Sequence, residues 1–203
     1  MTRMLRILVP VFAVLLSSRA MAGEEVGLNP ADTAWILTST GLVLFMTVPG
    51  LALFYGGLVR TKNVLSVLVQ CFAVTSMVSV LWMMVGYSLA LTGGGDLQAL
   101  IGGSERFWLQ GLKADSLIGT LPESVFCMYH LSFAVFAPAL MIGGLVERMR
   151  FSVLLILTGC WTLLVYLPVC HWLWGGGWLS QLGAVDFAGG IVVHTSSGAA
   201  TLA

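Results

Sequence analysis

The sequence predicts an all-α membrane protein with five transmembrane helices, and three observations support this. Of its 203 residues, 58% are hydrophobic and only 9% charged, whereas a soluble domain carries about 25% charged residues. That is too few to cover the surface of a water-soluble globule. Five apolar stretches follow one another, at about residues 32–59, 64–91, 124–146, 151–173 and 186–203. Each is long enough for a tilted helix through a hydrocarbon core about 30 Å thick, which takes roughly 20 residues to cross. The 24 Gly, 10 Met and 7 Trp suit helices packed in lipid, where small residues let backbones approach and Trp settles at the interfaces. The same figures exclude other classes. The 9 Lys+Arg balance the 9 Asp+Glu and form no basic stripe, so nucleic acid is not an expected partner. A disordered or fibrous chain is excluded by the hydrophobic fraction.

Residues 1–22 read as a cleaved secretory signal peptide. Arg3 and Arg6 form a basic start, and Ile7 to Leu16 an apolar core interrupted only by Pro10. Ala20 and Ala22 then supply the small residues that a signal peptidase needs. The core is about half the length of a bilayer crossing, which argues against an uncleaved first span. Cleavage before Gly23 leaves the mature chain, 23–203, with its N-terminus outside the cytoplasm. The basic residues orient the rest. Arg60 and Lys62 lie between the first two spans, and Arg148 and Arg150 between the third and fourth. The positive-inside rule puts both short turns in the cytoplasm. In the long second connection, Arg106 and Lys113 sit beside Asp96, Glu105, Asp115 and Glu123, and this segment faces outside. Two independent signals thus give the same orientation. An odd number of spans inverts whatever follows it, the arrangement of one half of an inverted-repeat transporter. The sequence stops in the apolar helical pattern Ser196 to Ala203, which reads as a truncated chain.

An unpaired charge at mid-bilayer costs at least about 2.5–3.5 kcal/mol, so polar residues within spans are candidates for chemistry. They are His130, His171, His194 and Asp186. Asp186 opens the fifth span as an N-cap, accepting from orphan backbone N–H groups and complementing the helix dipole. The Gly189-Gly190 pair, placed inside that helix, permits close contact with another helix. His194 lies eight residues after Asp186, about 12 Å deeper at helical rise and so near the midplane. Imidazole can gain or lose a proton near neutral pH, and a purely structural alternative is a buried ring satisfied by a neighbouring carbonyl or hydroxyl. His171, beside Trp172, reads as interfacial, and His130 carries no assignment. Trp174-Gly175-Gly176-Gly177-Trp178 reads either as an aromatic belt with a tight turn or as a face for a small cation, worth about 0.5–2 kcal/mol. Phe133 taken alone carries no meaning. Cys71, Cys127, Cys160 and Cys170 have neither metal nor disulfide spacing and read as buried thiols. No cofactor or metal is expected. An intramembrane enzyme built on Asp186 and His194 finds no support, because no nucleophile motif or His-Glu-x-x-His spacing occurs.

The blocks Pro49-Gly50-Leu51-Ala52-Leu53-Phe54-Tyr55-Gly56-Gly57-Leu58-Val59-Arg60, Lys62-Asn63-Val64-Leu65-Ser66, Glu147-Arg148-Met149-Arg150-Phe151-Ser152, Trp174-Gly175-Gly176-Gly177 and Asp186-Phe187-Ala188-Gly189-Gly190 through His194 stand in this order. Together they resemble the ammonium transporter family of the Amt/Mep/Rh type, its bacterial Amt branch in particular. The resemblance runs from about Asn29 onward and implies the first half of a fold built from two inverted sets of five helices. It also implies transport of ammonium or ammonia across the bacterial inner membrane, with a periplasmic N-terminus. Trp174 is similar to the outer recruitment Trp, Phe133 to the gate Phe below it, and Asp186 to the acidic residue behind that site. His194 is similar to the first of two paired pore histidines. The resemblance further implies a homotrimer and a PII-type signalling protein as cytoplasmic partner. His130 stands where related sequences carry Gln. An ammonium sensor of the same family, or a non-conducting fragment, would share these blocks.

Overall fold

The computed structural model describes residues 27–203. The expected signal peptide and its cleavage before Gly23 lie outside the described residues. The first helix starts where Asn29 precedes Pro30. The Asn29 Oδ1 accepts from the backbone N–H of Ala31 (2.9 Å) and of Asp32 (3.2 Å). Pro30 brings no N–H to a turn that would leave it orphaned. Helix α1 then runs Pro30–Leu58, α2 Thr61–Leu91 and α3 Glu123–Leu145. Helix α4 follows through Phe151–Trp161, Thr162–Tyr166 and Leu167–Trp174 without a break. A last turn, Trp178–Gln181, stands beyond the glycines that end it. These four are long and apolar enough to cross a membrane. Helix α5 comprises Gly190–Thr195 and Ser196–Leu202, six and seven residues, less than a full crossing. It begins at Gly190 and not at Asp186.

Several turns widen to π geometry, at Met46–Leu51, Trp82–Gly86, Thr162–Tyr166 and Gly190–Thr195. Proline accounts for two of them. Pro49 lies inside the first, and Pro168 follows the third by two residues. Each lacks an N–H and crowds the carbonyl one turn back, so the local turn opens.

Helix α3 lies at the centre. Of its most apolar stretch 61% is buried, against 17% for α1, and it touches α1, α2, α4 and α5. Gly144 permits the closest of these approaches, since a Cβ there would overlap the Thr201 side chain of α5. Gly144→Ala should therefore cost about 1 kcal/mol by overpacking, read as a lower Tm of the detergent-solubilised protein. An unchanged Tm would mean that α3 and α5 are not in tight contact. Trp35, Leu42, Phe45, Leu53 and Phe54 are exposed on α1, an apolar surface of the kind that lipid or another helix covers.

The connection between α2 and α3 contains a small antiparallel hairpin, β1 (Leu117–Ile118) with β2 (Leu121–Pro122). It is the one strand pairing among the described residues. Arg106 ties this connection to the head of α3. Its Nε and Nη2 donate to the two Glu123 carboxylate oxygens at 2.9 and 3.2 Å, and Tyr87 OH adds a third bond at 3.1 Å. Glu123 is only 4% exposed, and the two-pronged guanidinium is the partner that makes such burial tolerable.

At the opposite end, the blocks around Arg60, Asn63 and Glu147 meet. The Glu147 carboxylate accepts from Asn63 Nδ2 and from the Arg60 backbone N–H (3.3 Å). The Asn63 bond, with lesser help from Arg60 and Lys62, holds this exposed carboxyl below its ordinary range. The two basic turns are thereby clipped together. All four cysteines are free thiols; Cys71, Cys127 and Cys170 are buried and Cys160 is exposed. No group of His, Cys, Asp and Glu among the described residues could hold a metal ion.

Candidate functional site

Helix α4 ends at Trp174 because glycines follow. The Gly175 N–H returns to the His171 carbonyl at 3.0 Å, and Gly176 takes the left-handed conformation with φ 79°. His171, read from the sequence as interfacial, lies in the last turns of this helix. It is wholly buried, with Nδ1 3.0 Å from the Ala90 carbonyl and Nε2 2.9 Å from that of Gln98. Trp172 Nε1 donates to the Leu100 carbonyl at 2.9 Å. These contacts pin the C-terminal end of α4 to the end of α2 and the segment that follows it, and so fix where Trp174 stands.

Asp186 does two jobs. Its backbone carbonyl accepts from Trp174 Nε1 at 2.9 Å, which sets the indole's orientation. Its carboxylate accepts from the backbone N–H of Gly190 (2.7 Å), Ile191 (2.8 Å) and Val192 (2.8 Å). The first turn of α5 therefore has its orphan donors satisfied from outside the helix. Burial pushes the Asp186 carboxyl up, but the bonds from Val192, Ile191 and Gly190 outweigh this and hold it below its ordinary range. Gly189 makes the geometry possible. It sits at φ 76° just before the helix, and a Cβ on it would lie 3.0 Å from Val193 Cγ2. The glycine pair thus forms a left-handed turn at the mouth of α5 and does not lie within a helix.

Above α3 the aromatic side chains enclose a hollow of about 350 Å³, lined among others by Phe126, Tyr129, His130, Phe133 and Trp174, with Phe187 at its rim. The Trp174 ring stands 5.8 Å from Phe133 at 63° and 5.7 Å from His130 at 77°. Tyr129 meets Phe133 edge-on at 4.9 Å. None of the lining residues carries a fixed charge. Aromatic faces are the negative part of the ring quadrupole, so a small cation entering the hollow meets attractive surfaces.

Trp174, Phe133 and the main chain of Asp186 thus come together. His194 does not join them. Its Nδ1 lies 3.0 Å from the Gly189 carbonyl, and its ring is 6.1 Å from Phe136, one helical turn beyond Phe133 on α3. The imidazole is exposed among the described residues and does not line the hollow. With α5 starting at Gly190, four helical residues separate its Gly189 cap from His194. The residues missed from sequence are Phe126, Tyr129 and Phe187, together with a role for His130. The signal was available for most of them: Phe126, Tyr129, His130 and Phe133 fall at i, i+3, i+4 and i+7, one stripe of a helix.

Residues 34–203 match the model of the Ammonium Transporter Family. A putative ammonium transporter of Methanothermobacter thermautotrophicus is 47% identical over 179 residues, covering 87% of this chain and 43% of the relative. An ammonium transporter of Bacillus subtilis is 48% identical over 173 residues, 84% of this chain and 42% of its own. The crystal structure of Candida albicans Mep2 superposes with a TM-score of 0.76 at 34% identity, over 86% of this chain and 38% of Mep2. That of Saccharomyces cerevisiae Mep2 gives 0.77 at the same identity, over 86% and 39%. The chain therefore spans about two fifths of the length of these relatives. With the match extending across nearly all the described helices, the chain belongs to the Ammonium Transporter Family.

Proposed function

We propose that the whole protein moves ammonium across the membrane, and that the aromatic hollow over α3 is where the cation is recruited. The observation that carries this reading is the Trp174 indole, held by the Asp186 carbonyl and 5.8 Å from Phe133, over a hollow without fixed charges. The names of the relatives, all transporters and none an enzyme, support the same activity. Carrying an intact ammonium ion through an apolar channel meets the penalty of a charge in lipid. Passing its proton to water at the hollow turns the ion into neutral ammonia, which continues past Phe133 toward His194. In this scheme Phe133 is the gate, Trp174 the perch, Asp186 the support, and His194 a pore imidazole that pairs with a second one from the remainder of the protein. We take the chain as one five-helix half of an inverted repeat, in a homotrimer of the inner membrane with a periplasmic N-terminus. Its basic turns would then face a PII-type partner in the cytoplasm.

The test is uptake of methylammonium, or ammonium-evoked current, by the whole protein and by its His194→Ala and His194→Phe variants. The maximal rate should fall in both, and more with Phe, which fills space as well as removing the imidazole. The concentration for half-saturation should move little, because His194 lies outside the hollow. Rates equal to wild type in both variants would remove His194 from the path. Uptake by the wild type indistinguishable from background would overturn the transport reading itself.

A further inference from the structure

Resting on the recruitment reading above, we propose that His130 is a ligand of the recruited cation, its Nε2 accepting an N–H hydrogen bond from ammonium beneath Trp174. The tautomer follows from one contact. His130 Nδ1 lies 3.0 Å from the Phe126 carbonyl, one turn back on the same helix. A carbonyl oxygen only accepts, so Nδ1 carries the hydrogen and donates. A neutral imidazole has one N–H, which leaves the lone pair on Nε2. The ring is held in place by its neighbours, 4.2 Å from Phe126, 5.5 Å from Tyr129 and 5.7 Å from Trp174.

Beside the Tyr129 hydroxyl, the hollow offers ammonium few other acceptors. The Trp174 indole presents a π face, and its one N–H is already spent on Asp186. Phe126 and Phe133 present only carbon. Ammonium carries four N–H donors and loses water on entering, and each donor left unmet adds a desolvation cost. A lone pair on a nitrogen answers one of them directly. It also favours a cation that donates hydrogen bonds over a bare alkali ion of similar size. That discrimination is beyond a ring face, which attracts either.

The experiment measures ammonium half-saturation for the whole protein in five forms: wild type, His130→Phe, His130→Leu, His130→Gln and Trp174→Leu. Phe keeps the aromatic packing without the lone pair. Leu is the smaller acceptor-free variant, used beside it so that a packing defect in one does not decide the matter. Gln supplies a carbonyl acceptor. Loss of one hydrogen bond to a charged group corresponds to about a tenfold rise in half-saturation. That rise is expected for Phe and Leu, with Gln restoring affinity to within about twofold. If Gln is impaired as much as Phe and Leu, or if only the maximal rate falls, His130 packs and does not bind, and the proposal is overturned. If Trp174→Leu raises half-saturation while Phe and Leu do not, the proposal fails and the recruitment reading stands. If none of the variants moves it, both fail.

Discussion

Asp186→Ala should lower the stability of the purified whole protein by about 2 kcal/mol, the upper range for loss of a helix cap. Three backbone donors end on this one carboxylate, those of Gly190, Ile191 and Val192. Alanine leaves all three without a partner at the start of α5. The turn through Gly189 loses its reason to stay left-handed, and the Asp186 carbonyl that orients Trp174 moves with it. Uptake should fall along with the denaturation midpoint. Asp186→Asn should be intermediate, since it keeps one acceptor oxygen. The same bonds give a dependence on pH. The native carboxyl is held below its ordinary range, so its contribution is complete above the usual carboxylate value of about 4. It disappears as pH falls through the lower native value. Acidification should therefore narrow the gap in midpoint between wild type and Asp186→Asn. A midpoint unchanged in Asp186→Ala would show that α5 does not depend on this cap.

Trp174→Leu should raise the half-saturation concentration for methylammonium by about thirtyfold, from a cation–π contact worth roughly 2 kcal/mol in a dry site. Leucine removes the quadrupole and the indole N–H together, so the contact with Phe133 and the tether to Asp186 both go. Trp174→Phe should fall between, because Phe keeps a weaker π face and lacks the donor. The maximal rate is the less sensitive quantity here, since in the proposed scheme recruitment precedes passage beyond Phe133. An unchanged concentration dependence would remove Trp174 from recruitment.

The helices were legible because nothing else accounts for long runs with so few charges, and because Arg60, Lys62, Arg148 and Arg150 mark the turns between them. The first four apolar stretches overlap the four helices long and apolar enough to cross a membrane. The head of α5 was misread for a definite reason. An Asp before an apolar run implies a helix starting at once, but Asp186 caps from a distance, across the left-handed turn at Gly189. The partners of His171, Ala90 and Gln98, are remote in sequence, and nothing local announces them. The hairpin Leu117–Ile118 with Leu121–Pro122 is too short to leave an alternating pattern. Trp174 and Phe133 were joined at first only by family resemblance, and their ring contact is a property of the fold. The aromatic stripe on α3, by contrast, was present in the spacing from Phe126 to Phe133 and needed only to be counted.

Lipid vesicles carrying the purified whole protein, pulsed with ammonium while the internal pH or the current is recorded, test the proposal that a protein containing this chain conducts ammonium from the Trp174 hollow. Saturable influx above that of empty vesicles is expected, with the saturation point displaced by Trp174→Leu. Influx equal to that of empty vesicles would overturn the proposal.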